Sequence, residues 1–86
     1  MKQELMKLKV NEYDSKEEFG DFDNYIEAMR YIVQEHQCLE INNSLVDVQT
    51  ANVCLTVYDN LNDANKERTH FIDMRKYIDF CWKQVG

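Results

Sequence analysis

The side chains able to act as nucleophiles or soft metal ligands are His36, His70, Cys38, Cys54 and Cys81. A zinc site needs four protein ligands, or three and an open position for water. Here only His36 and Cys38 are close in sequence, and Cys81 could join them only through tertiary folding. The pattern instead reads as loop or surface histidines and small buried cysteines. A Cys–His nucleophile needs a base within hydrogen-bond reach and a third group to orient it. Cys54 falls inside an apolar helical stretch and Cys81 on a helical stripe, which assigns both to packing. Glu17 with Glu18, or Asp21 with Asp23, could pair for acid–base work or hold a hard cation, but their neighbours lack the spacing of a calcium loop. Gly20 and Gly86, the two glycines, cannot build a loop that cradles phosphate. The expectation is a chain that works by contact, with no catalytic residue, no metal and no cofactor.

Charge is the feature that stands out. The net charge is −6, and it sits almost wholly in one segment, where Glu12, Asp14, Glu17, Glu18, Asp21, Asp23 and Glu27 are opposed only by Lys16. The basic start of the chain and the mildly acidic remainder cancel. Such a field repels nucleic acid and attracts a basic protein face. Arg68, Arg75, Lys76 and Lys83, with Trp82 beside them, could form a basic patch near the end of the chain. Glu67, Asp73 and Asp79 share that stretch and limit its attraction for a phosphate backbone.

These side chains must be positioned within a short chain. Eighty-six residues fit one compact domain, and 44% hydrophobic with 12% aromatic residues is enough for a folded core. Burial per residue is modest at this size, so a homodimer is a natural way to complete the core. Three cysteines without a CxxC pair favour a reducing compartment over a disulfide framework. The apolar runs are too short to cross a membrane, and no secretory segment follows the basic N-terminus, so a cytoplasmic protein is expected. Asn42-Asn43-Ser44 matches a glycosylation pattern that is incidental without export.

Apolar spacing predicts a mainly α protein: three helices with a short N-terminal strand or β-hairpin. The first helix is expected over residues 16–35, capped by Ser15 and Glu18, with Phe19, Phe22, Ile26, Met29 and Val33 as its buried stripe. Gly20 allows a later start at Asp21. The second helix is expected over 45–61, with Ser44 and Asp47 at its N-terminus and apolar residues around most of its circumference. A strand over Val53 to Tyr58 is the rival there, because β-branched residues alternate. The third is expected over 64–84, capped by Asn62 or Asp63, with Phe71, Met74, Ile78, Cys81 and Val85 inward and Ile72 and Trp82 widening the stripe. Met6, Leu8 and Val10 alternate with lysines as in a half-buried strand, for which Leu39 and Ile41 could supply a partner.

At Thr50-Ala51-Asn52-Val53, then Leu55 and Val57-Tyr58-Asp59-Asn60-Leu61, the chain resembles small proteins encoded by phages and prophages. The resemblance continues through Asn65-Lys66, Phe71 and Ile78-Asp79-Phe80-Cys81-Trp82-Lys83. It spans about half of the chain and leaves out the acidic segment. It implies a phage accessory protein that binds or inhibits a host protein, such as a bacterial defence component, and it transfers no catalytic residue.

The functional expectation is therefore a noncatalytic protein-binding module whose acidic surface meets a host or phage protein with a basic face. Glu17, Glu18, Asp21, Asp23 and Glu27 would supply the charge, and Tyr13 an apolar anchor beside them. Tyr77, Phe80 and Trp82 are further candidate anchors, with Phe19 and Trp82 preferred as core. Two other classes fit the same sequence: a small dimeric DNA-binding regulator using the basic patch, and a structural assembly subunit using the broad apolar surface of the second helix.

Overall fold

The structure is a computed structural model that describes residues 8–12, 15, 17–20 and 22–85. Its elements, in chain order, are β1 (Val10–Glu12), α1 (Tyr25–Glu35), β2 (Leu39–Ile41), β3 (Ser44–Val46), α2 (Val48–Asp59), α3 (Asp63–Thr69) and α4 (Met74–Val85). The protein is mainly α, with four helices and a small antiparallel sheet in the order β1-β2-β3.

The sheet realises the expected pairing of the N-terminal strand with Leu39 and Ile41. Val10 lies opposite Ile41 and Glu12 opposite Leu39. Met6 lies outside the described residues. A third strand was not expected. Asn42 and Asn43 both adopt left-handed backbone conformations, with φ of 51° and 65°, and turn β2 directly into β3. Two positive-φ residues match the right-handed twist of the strands they join, and Asn tolerates that region better than other non-glycine residues. The Asn42 side chain accepts from the Lys9 N–H at 2.9 Å, tying the turn to the residue before β1.

This hairpin takes Leu45 and Val46 away from the second helix, so the start expected at Leu45 is corrected. α2 begins at Val48, where Asp47 caps it by accepting from the Thr50 N–H at 2.7 Å. The same bond holds the Asp47 carboxyl below its ordinary range. Helix persists through Val53 to Tyr58, which removes the rival strand.

The first helix is also shorter than its apolar spacing suggests. It starts at Tyr25 because Asn24 is extended and accepts from the Glu27 N–H at 3.1 Å, while the Glu27 carboxylate accepts from the Asp23 N–H at 2.9 Å. This reciprocal cap replaces the one expected at Ser15 and Glu18. Upstream, Gly20 has φ +74°, and a Cβ there would run into the Phe22 ring. A left-handed residue interrupts a right-handed helix, and glycine adopts it without the steric penalty other residues meet. Phe19 and Phe22 therefore reach the core from an irregular segment.

The third helix expected over 64–84 is two helices. Asn62 caps α3 as expected, accepting from the Asn65 N–H at 2.8 Å. At the far end the Thr69 carbonyl accepts from the buried Tyr25 hydroxyl and from the Ile72 N–H, and the chain leaves the helix at His70. A new first turn then forms on the Asp73 carbonyl. The break re-phases the stripe: Met74, Tyr77 and Cys81 are buried, while Phe71, Ile72, Trp82 and Val85 are exposed. Trp82 is thus not a core residue.

The core lies between α1, α2, α4 and the inner face of the sheet, where Met29, Ile32, Leu39, Ile41, Val46, Cys54 and Cys81 are fully buried. Burying a side chain of Leu, Ile, Val or Met size contributes about 1.5–3 kcal/mol, and Ile32 and Met29 on α1 are large contributors of that kind. Among the described residues, no helix is long and apolar enough to cross a membrane.

Candidate protein-binding surface

The acidic segment is not a face of one helix. Glu17, Glu18 and Asp23 are exposed on the irregular chain that precedes α1, and Glu27 is exposed in its first turn. Tyr13 and Asp21 lie outside the described residues. The segment's described residues are nonetheless held against the fold. Glu18 forms an isolated antiparallel bridge with Asn11 on the outer edge of β1, and the Phe19 N–H donates to the Val10 carbonyl at 2.7 Å. The buried Asn11 amide donates to the carbonyls of Glu12 and Ser15, which satisfies it and ties Ser15 to β1. Beneath the carboxylates, Phe19, Phe22 and Tyr31 pack mutually, with Phe19 5.2 Å and Phe22 5.8 Å from Tyr31 in edge-on geometry. Ring pairs of this kind contribute about 0.5–1.5 kcal/mol beyond their burial.

The carboxylates have different tasks. Glu27 completes the α1 cap, so part of its charge is spent on the helix N-terminus, where an anion is favoured. Asp23 borders a narrow cleft of about 20 Å³ together with Tyr25, His70, Ile72 and Met74. Glu17, Glu18 and Asp23 make no side-chain bond among the described residues and leave their carboxylates available to a partner.

The basic residues near the end of the chain do not form one patch. Arg75 donates to the Ser44 hydroxyl at 2.8 Å, and Lys83 pairs with Asp79 one turn earlier at 3.0 Å. Arg68 and Lys76 sit instead on the rim of a groove between α3 and α4, of about 360 Å³, whose walls are Leu61, Ile72, Tyr77 and Phe80. Of the proposed aromatic anchors, Tyr77 is buried and donates to the Cys54 carbonyl at 2.8 Å, leaving Phe80 and Trp82 exposed. The sequence offered no signal for the groove itself, because the apolar spacing runs unbroken through the bend that creates it.

The reactive residues are placed by packing. Cys54 and Cys81 are fully buried on α2 and α4, and burial, followed by their mutual proximity for Cys54, pushes both thiols up and away from the nucleophilic thiolate. Cys38 is half-buried. His70 stacks on Tyr58, whose hydroxyl lies 2.8 Å from Nε2. Among the described residues no cluster of three His, Cys, Asp or Glu side chains is arranged to hold a metal ion.

No family model, curated protein or solved structure matches the chain.

Proposed function

We propose that this chain is a noncatalytic protein-binding module, a phage-encoded inhibitor or regulator that acts in the cytoplasm on a host protein with a basic surface. The observation that carries the reading is the anchored acidic segment. Glu17 and Glu18 project from a backbone pinned to β1 on one side and to the Phe19–Phe22–Tyr31 cluster on the other. Charges presented on an ordered backbone cost less ordering entropy on association than charges on a loose loop, and they steer a basic partner toward the surface. Tyr13 and Asp21 belong to the same stretch of sequence and complete the proposed contact, with Asp23 and Glu27 at its C-terminal end.

The reading is tested by charge reversal at exposed positions. Glu17→Lys and Glu18→Lys leave the aromatic cluster and the Asn11 bonds in place, so the domain should melt as the wild type does. Capture of the partner should fall by about tenfold or more, chiefly at low salt, where steering is strongest. Equal capture by the reversed and wild-type proteins would remove the acidic segment from the interface.

A further inference from the structure

Ile72 is the ridge between two depressions. It lines the narrow cleft that contains Asp23 and also the groove whose rim carries Arg68 and Lys76. The Glu27 carboxylate lies at the acidic end, 2.9 Å from the Asp23 N–H. One face thus has an apolar centre with acid at one end and base at the other. Ile72 is 42% exposed and Phe80 45%, although the apolar spacing of residues 71–85 is that of a buried stripe. The bend after Thr69 turns Ile72 out of the domain's own core. Arg30 and Lys83 pair with Asp59 and Asp79, whereas Arg68 and Lys76 have no carboxylate within pairing distance among the described residues. The domain is also flat, with extents of 37 × 34 × 19 Å, and so offers broad faces for its size.

Such a face is self-complementary. A two-fold axis through its apolar centre sets each end against the opposite end of the copy, so acid meets base twice while the apolar residues are covered. A uniformly acidic or uniformly basic partner would be attracted at one end and repelled at the other. We propose that a second copy of this chain docks here, forming a two-fold homodimer. In it Asp23 and Glu27 meet Arg68 and Lys76 of the partner subunit around a centre of Ile72 and Phe80. The dimer does not require the host contact, but it uses Asp23 and Glu27, so the two associations would compete for these carboxylates.

Sedimentation velocity of the purified full chain, from about 1 μM to 1 mM, reads the proposal. The wild type should pass from monomer to dimer, with weaker association at higher salt. Ile72→Asp should remain monomeric. Asp23→Lys alone, or Arg68→Glu with Lys76→Glu, should each weaken the dimer by about tenfold or more. A one-to-one mixture of those two charge variants should associate more tightly than either variant alone, because one of its two contacts is then wild type and the reversed position 23 in the other again meets opposite charge. This mixing result reads the interface even if Ile72→Asp fails to fold. A wild type that stays monomeric to the highest concentration overturns the proposal. So does a dimer indifferent to these substitutions, or a mixture no tighter than either variant alone.

Discussion

Replacing Tyr25 with Phe removes one oxygen from the point that bends the C-terminal helices apart. Tyr25 is buried, its hydroxyl donates to the Thr69 carbonyl, and its ring lies 5.8 Å from that of Tyr77. Phenylalanine keeps the ring and loses the bond. The Thr69 carbonyl still accepts from the Ile72 N–H at 3.2 Å, so it is not orphaned. The loss should accordingly lie near the net value of one hydrogen bond, about 1–1.5 kcal/mol, below the larger cost of an unsatisfied buried acceptor. For a domain of this length that lowers Tm by roughly 4–10 °C. Urea unfolding measures the stability, and amide exchange at residues 70–74 reads the bend directly. Both should move, with exchange accelerating there more than in α2. Burial, aided by nearby Cys54, also holds this phenol protonated above its ordinary pKa of 10.0. The unfolded chain releases the proton first, so stability is complete below about pH 10 and falls as pH rises beyond it. The variant should lose part of that alkaline fall. A change below about 0.3 kcal/mol, with exchange at 70–74 unaltered, would refute the assignment of the bend to this bond.

Other substitutions probe the remaining local devices. Gly20→Ala places a side chain at φ +74° against the Phe22 ring, and should destabilise by more than about 1 kcal/mol in denaturant titration. Asp47→Ala removes the α2 cap and should cost about 1 kcal/mol at neutral pH. Because the folded-state pKa of Asp47 is depressed, its contribution is present above the ordinary value of 3.8 and disappears as pH falls below it, so wild type and variant should converge in acid. Native protein should react with a thiol reagent rapidly at Cys38 only, and Cys54 and Cys81 should react on the timescale of unfolding, as resolved by mass spectrometry.

Much of the fold is legible in local sequence, and the departures have identifiable causes. Leu39 and Ile41 alternate around Glu40 as strand residues, and they pair with β1. Asn62 caps α3 because its side chain can reach an N–H three residues on, a local rule that needs no tertiary information. The first helix is shorter than its apolar spacing implies because Phe19 and Phe22 keep helical spacing while reaching Tyr31 from an irregular segment. Gly20 followed by Asn24 and Glu27 is the signal that places the start at Tyr25. The Asn42-Asn43 turn is likewise written in the sequence, but the caplike Ser44 before an apolar run competes with it. The break after Thr69 has no local signature, neither glycine nor proline. At the break the Thr69 carbonyl accepts a hydroxyl arriving from Tyr25, 44 residues away in sequence. The exposed Ile72 and the groove between α3 and α4 lie at that break, and so they are beyond what spacing alone can reveal. The acidic residues are legible as a charge cluster, whereas their anchoring to β1 and Tyr31 is a property of the folded chain.

Recognition of a basic protein through the acidic segment can be read in a single experiment, paired affinity capture from a bacterial host lysate. Wild-type protein and the Glu17→Lys, Glu18→Lys double variant are immobilised at equal density after their melting curves are shown to agree. One host protein with a basic surface should be retained by the wild type, lost from the variant and released by salt. Retention of the same protein in equal amount by both, or of no specific protein by either, would contradict it.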